Sequence, residues 1–328
     1  MTRAIALVLL AATLLIGIGL VVYGRVFDPP PAAVTTVSMP ASRPQAPTAV
    51  PTATVSVDAG TPEVVEAPTA TLTAHRGAVQ IRHGDDGAWR DAVEGDRLSA
   101  DDVVRAGRNA EATLQLGSGV EVKLSPRSEL RVRELTEAVA RVRLDEGHVT
   151  ASVDAEGRRV LRVQARGSDA EAESKGGTFG VVTDGKGQLA VAATTGRVKV
   201  TANGGSVDVE AGQTTAVTAG QAPSVPTAVP GSLYLKLGVL AATQTNQTST
   251  TVSGSTTPGT LVRVGDQLAT SDGKGRFSMK VPLRDGKNDL AVEVVDASGR
   301  REDGRLPVVN VDRKKPTIDA NVQWGKGN

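Results

Sequence analysis

Between Gly95 and Val132 apolar residues fall on alternate positions, at Leu114 and Leu116, at Val120, Val122 and Leu124, and at Leu130 and Val132. Clusters of Gly, Ser, Asn or Pro close each run. A period of two is that of a short strand with one buried face. The same pattern predicts strands at Ala78 to Arg82, Val103 to Arg105, Val139 to Leu144, Val149 to Val153, Val160 to Val163, Phe179 to Val182, Leu189 to Ala192, Val198 to Val200, Val207 to Val209 and Thr215 to Val217. Turn signals recur about every 8–12 residues, the spacing of a sandwich, barrel or stacked ladder. Gly147, Gly157, Gly196 and Gly212 are expected between strands, where a turn needs positive φ.

A second β-unit follows a Pro/Ala/Thr stretch at residues 220–231. Alternation runs from Thr251 to Val264, from Phe277 to Val281 and from Leu290 to Val294, and Asp272-Gly273 and Asp285-Gly286 are predicted hairpin turns. The amino terminus reads differently. Ala4 to Tyr23 is an uncharged apolar run of about the 20 residues that cross a bilayer, longer than a cleavable signal's core of about 7–15. It predicts a retained anchor. Arg3 and Arg25 flank it evenly, so orientation rests on the short tail and the disulfide-free β-structure downstream, which place the body outside the cytoplasm. Residues 24–70, rich in Pro, Ala and Thr, predict a disordered, partly extended tether.

The ordered set Gly77-Ala78-Val79, Glu94-Gly95-Asp96-Arg97-Leu98, Asp101 to Gly107, Leu114-Gln115-Leu116, Leu124-Ser125-Pro126-Arg127-Ser128, Gly177-Thr178-Phe179-Gly180-Val181 and Gly196 to Val200 resembles the FecR domain. Gly95, Asp96, Gly107, Gly177, Thr178 and Phe179 are its structural motif positions here. The Asp-Gly-Ser turn usual in that family reads Gly117-Ser118-Gly119. The resemblance implies a twisted, ladder-like β-domain outside the cytoplasm that receives a signal from an outer-membrane transducer. In well-known members a cytoplasmic segment acts on a sigma factor, and Met1-Thr2-Arg3 is too short to supply one, so that activity is not carried over. Gly254 to Val264, Asp272 to Phe277, Leu283 to Leu290 and Asp296 to Arg300 resemble bacterial immunoglobulin-like repeats, which act as spacers or adhesive modules.

The expected fold is therefore all-β: a FecR-like twisted β-ladder and an immunoglobulin-like sandwich behind one transmembrane helix and a disordered linker. Its expected divisions are a cytoplasmic tail (1–3), an anchor (4–23), a linker (24–70), the FecR-like domain (71–219), a second linker (220–231), the immunoglobulin-like domain (232–312) and a tail (313–328).

Composition narrows the function. Lys and Arg number 37 against 36 Asp and Glu, which argues against a general nucleic-acid surface. Cysteine is absent, excluding disulfides and thiolate metal sites. His75, His83 and His148 lack the spacing of a ligand set, so neither metal nor cofactor is expected. Asp85-Asp86 and Asp101-Asp102 read as solvated turn residues. Ser125 and Ser128 have no local histidine and no nucleophile-elbow pattern, and no small-molecule substrate or enzymatic activity is expected. Trp89 reads as a core or edge plug. Arg131 and Arg133, with Arg141 and Arg143, form alternating basic faces that could meet an envelope protein or an anionic wall polymer. The function expected is a membrane-anchored periplasmic scaffold on the inner membrane that binds such a partner. The alternative is a transmembrane signalling regulator of the FecR type, relaying through the anchor, where Thr13 and Gly17 give a small-residue spacing for helix pairing.

Overall fold

The computed structural model describes residues 69–313. The predicted anchor at 4–23, the tether up to residue 68, and residues 314–328 with Trp324 lie outside the described residues. Among the described residues no helix is long and apolar enough to cross a membrane.

The described chain is all-β. The first body comprises β1 (Ala70–Arg76), β2 (Val79–Arg82), β3 (Arg90–Asp91), β4 (Arg97–Leu98), β5 (Val103–Ala106), β6 (Glu111–Leu116), β7 (Val120–Leu124), β8 (Glu129–Leu135), β9 (Val139–Val153), β10 (Val160–Ala165), β11 (Glu171–Ser174), β12 (Gly177–Thr183), β13 (Leu189–Ala193), β14 (Arg197–Ala202), β15 (Gly205–Glu210), β16 (Gln213–Val217) and β17 (Thr227–Ala228). They form two facing ladders. One runs β4-β1-β6-β7-β9-β12-β13-β16-β17, the other β3-β2-β5-β8-β9-β10-β11-β14-β15. Every pairing is antiparallel except β9 with β10, which is parallel.

Strand β9 belongs to both ladders. Its first half pairs with β8 and β10 and its second half with β7 and β12. The sequence pattern splits it at Gly147, which was expected to lie in a turn. Gly147 does have positive φ (98°), but the strand bends there and crosses to the other sheet without reversing. Strand β11 was not predicted because Glu171-Ala172-Glu173-Ser174 carries one apolar side chain, Ala172, against the core.

The inner faces close one core. Leu114, Val122, Ala151, Phe179 and Val191 from one sheet meet Ile81, Leu130, Val142, Leu161 and Val200 from the other. Phe179 is fully buried and heads the fully buried side chains in size.

The second body comprises β18 (Leu235–Leu237), β19 (Gln244–Thr245), β20 (Ser249–Thr256), β21 (Leu261–Val264), β22 (Gln267–Thr270), β23 (Arg276–Pro282), β24 (Gly286–Asn288), β25 (Ala291–Val295), β26 (Arg301–Arg305) and β27 (Val309–Val311). Its sheets run β18-β20-β23, β19-β27-β24 and β22-β21-β25-β26 around a core of Val252, Val262, Phe277, Met279, Val292, Val294 and Val309. The alternating run from Thr251 to Val264 breaks into β20 and β21 at Pro258-Gly259, where Gly259 has φ of 71°. Asp272-Gly273 is a turn between β22 and β23, which belong to different sheets, so it is not a hairpin. Gly286 opens β24 and pairs with β27, so the second predicted hairpin is also absent. Within the stretch expected to be a linker, Thr227–Ala228 extend the first sheet as β17.

The two bodies pack together within one compact unit. Strands β12 and β13 read as nearly continuous runs of small and apolar residues, and they are buried on both faces. Their outer side presents Val182, Ala190 and Ala192 to Leu261, Leu268 and Ala297 of the second body. The closest approach is at Gly180, where a Cβ would stand 1.8 Å from the carbonyl oxygen of Ala297.

Candidate functional site

Gly177, Thr178 and Phe179 open β12. Gly177 has φ of 106°, and a Cβ there would stand 2.2 Å from the Thr195 carbonyl, so only glycine lets β12 start against the β13–β14 turn. Thr178 fastens the same turn: its N–H donates to Thr195 Oγ1 at 2.9 Å, and its hydroxyl meets Ser152 Oγ at 2.8 Å. Gly107 donates its N–H to the Ala78 carbonyl, and Gly95 donates to Leu72. Asp96 accepts from both Arg90 Nη atoms, at 2.8 and 3.0 Å, and from the Val93 N–H at 2.8 Å. The Arg90 hydrogen bond holds its carboxyl below the ordinary range. All six motif residues thus shape turns or core, and none lines a cavity with convergent chemistry.

The predicted arginine face is a charge-compensated ladder. Arg131 is 5% exposed, so it is not on an open face as expected. Its Nη2 meets Asp85 Oδ1 at 2.6 Å, and its Nη1 donates to the Asp101 carbonyl at 3.1 Å. Arg133 pairs with Asp101 at 2.6 Å, Arg141 with Glu134 at 2.8 Å and Arg143 with Asp145. Asp145 shares β9 with Arg143, whereas Asp85 and Asp101 arrive from loops and Glu134 from the neighbouring strand, where alternation along one strand could not reveal them. Arg131 and Arg143 are cross-strand neighbours, as are Arg141 and Arg162, so the acids are needed to offset like charges placed opposite.

Asp102 departs from the solvated turn expected of it. It is 4% exposed and accepts from the N–H groups of Gly84 (3.1 Å) and Ser99 (2.9 Å) and contacts His83 Nδ1 at 2.8 Å. Removing a buried acceptor strands its donors. Asp102→Ala is expected to cost about 2 kcal/mol in denaturant unfolding, with Asp102→Asn recovering part of it. Trp89 sits as an edge plug, with the Arg105 guanidinium 4.0 Å and that of Arg82 5.0 Å from its ring centroid.

The pairing that local sequence spacing concealed is at His148. Ser125 Oγ lies 2.7 Å from its Nδ1, and Ser128 Oγ bonds the His148 backbone on both sides, donating to its carbonyl at 3.0 Å and accepting from its N–H at 2.9 Å. A serine within reach of a histidine is the start of a nucleophile–base pair. His148 lies on the outer side of β9, covered by the second body near Ala297 and Gly299. Burial pushes its pKa down to about 4. The space beside it amounts to about 10 Å³, lined by Pro126, Leu261 and Val295 among others, which admits no substrate. The pair lies within the first body, beneath the junction. His75 and His83 lie elsewhere, and among the described residues no group of three or more His, Cys, Asp or Glu could hold a metal.

A family model described as FecR protein matches residues 102–199, which span β5 to β14 and contain Gly107, Gly177, Thr178 and Phe179. The chain carries a FecR domain over that stretch, under a third of its length. No curated protein matches it. Two crystal structures of a candidate anti-sigma factor from Parabacteroides distasonis ATCC 8503 are similar at 19% and 18% identity, with a TM-score of 0.33 in both cases. Each match covers 38% of this chain and 59% of that one. A polysaccharide lyase is similar at 10% identity and a TM-score of 0.20, covering 75% of this chain and 40% of the other. The chain therefore spans less than two thirds of each of these proteins.

Proposed function

We propose that this chain is a signalling regulator of the FecR type, whose β-body receives a protein partner outside the cytoplasm and passes that state inward through the anchor at residues 4–23. The FecR match over β5 to β14 carries this reading. The carboxylates that pair with Arg131, Arg133, Arg141 and Arg143 support the regulator over a wall-binding scaffold, because they already engage the charges that such a scaffold would use. In this reading the second body is an immunoglobulin-like module, the body occupies the periplasm, and the intramembrane step belongs to the apolar run itself. Deletion of the gene should change a discrete set of transcripts several-fold, and the native chain supplied in trans should restore them. Unchanged transcript levels, with or without inducing conditions, would sink the proposal.

A further inference from the structure

Beyond the buried contact of Leu261 and Leu268, the junction opens into a groove of about 510 Å³. Its floor on the second body is the outward face of β21, β25 and β26, where Arg263, Glu293 and Asp303 stand side by side in register. The first body supplies Arg108 and Arg127 from its loops.

Arg263 is the unusual member. It is only 9% exposed, and its Nη2 donates to the Arg127 carbonyl at 3.0 Å, yet it forms no ion pair. Its desolvation cost is only partly offset, because Glu146, Glu293 and Asp266 attract it from beyond ion-pair distance. Burial accordingly pulls its pKa below the usual arginine value. Its neighbour Glu293 is already shared, lying 3.5 Å from Arg127 and 3.4 Å from Arg301. Across the groove's lining four arginines, Arg108, Arg127, Arg263 and Arg305, stand against Asp289, Glu293 and Asp303, which leaves one positive charge in excess. Arg127 is held for this task in the left-handed region (φ 56°), its N–H donating to Gly107, a conformation that arginine adopts at a cost of about 1–2 kcal/mol. Arg108 and Arg305 stand exposed at the rim in long ion pairs, with Asp266 at 3.8 Å and with Asp289 at 3.9 Å.

We infer that this groove binds an acidic peptide segment of a partner protein, one side-chain carboxylate seating between Arg263 and Arg127 and others meeting Arg108 and Arg305. Guanidinium forks match carboxylates, and a part-buried site strengthens the match. The other lining residues decide the class of polymer. Asp289 and Asp303 also face the groove. They would repel a chain charged at every unit, whereas a peptide offers backbone N–H groups between its side chains for them to accept. No aromatic ring lines the groove, so sugar faces have nothing to stack on.

The inference deepens the regulator reading and rests on it in taking the occupant to be a protein. The test is fluorescence anisotropy with the full-length chain in detergent, using a labelled peptide of alternating Glu and Ser. The Glu peptide should bind with an affinity that falls as salt rises, and its Gln counterpart should not. Arg263→Gln should weaken binding at least about tenfold. Because that residue also braces the junction, the surface pair Arg108→Glu with Arg305→Glu serves as the second variant, expected to weaken binding similarly with unchanged thermal unfolding. Equal binding of the Glu and Gln peptides, wild-type affinity in the rim variant, or displacement of the peptide by tetragalacturonate at equal concentration would each overturn it. The assay contains no transcription, so its failure leaves the deletion result standing, and the reverse also holds.

Discussion

Gly180→Ala should separate the unfolding of the β-structure into two calorimetric transitions, the second body melting first. The new methyl would stand 1.8 Å from the Ala297 carbonyl oxygen and 3.1 Å from His148 Nε2, and the nearer contact is backbone that cannot swing aside. Within the first body the only tight contact is with the His148 ring, and Gly180 lies inside a strand, where alanine loses less chain entropy than glycine. The loss is therefore confined to the junction. Undocking would expose Val182, Leu261 and Leu268 and uncover His148, a cost of about 3 kcal/mol or more. A single transition at the wild-type temperature would show that the junction absorbs the methyl and overturn this expectation.

The second large effect is on pH. His148 is buried neutral with a pKa of about 4, against 6.5 in an unfolded chain. Burial is the main cause. Arg301 opposes the charged form further, while the Ala297 backbone and Asp296 favour it. Between the two pKa values the unfolded chain binds the proton and the folded chain does not, so stability is full above about pH 6.5 and falls as pH drops towards 4. The total loss is about 3 kcal/mol, at up to about 1.4 kcal/mol per pH unit. Asp85, Asp96 and Asp272, all held below the ordinary carboxylate range, lose stability in the same direction but only nearer pH 4 and below. Urea unfolding between pH 7.5 and 4.5 thus isolates the histidine. His148→Gln should flatten the curve in that window. An equally steep curve in the variant would assign the effect elsewhere.

Much of the first body was legible because its strands carry one apolar face. Val120, Val122 and Leu124 alternate in sequence and alternate in burial, and Phe179 was placed at the motif position that proves to be deep core. What could not be read were relations between strands. The run from Leu189 to Ala192 signals a strand, but its double-sided burial depends on a partner some seventy residues later that brings Leu261 and Leu268. Ser125 and His148 are 23 positions apart and meet only because β7 and β9 pair. The arginines of β8 and β9 looked like an open basic face because period two assigns a side of the sheet and says nothing of Asp85 or Asp101, which reach them from loops. Arg263 drew no notice at all. It sits in an ordinary Leu-Val-Arg-Val alternation, and its burial appears only when the first body is laid against it.

The strand that changes sheets also sets the order in which the molecule can close. Until β9 has been synthesised, β7 and β8 each lack their neighbour, and both ladders end in unsatisfied backbone rims. No earlier pairing can seal either one. A ribosome paused before residue 139 therefore holds two sticky edges at once, whereas one paused after residue 153 holds a nascent chain whose first half can be complete, ready to template β10 and β12.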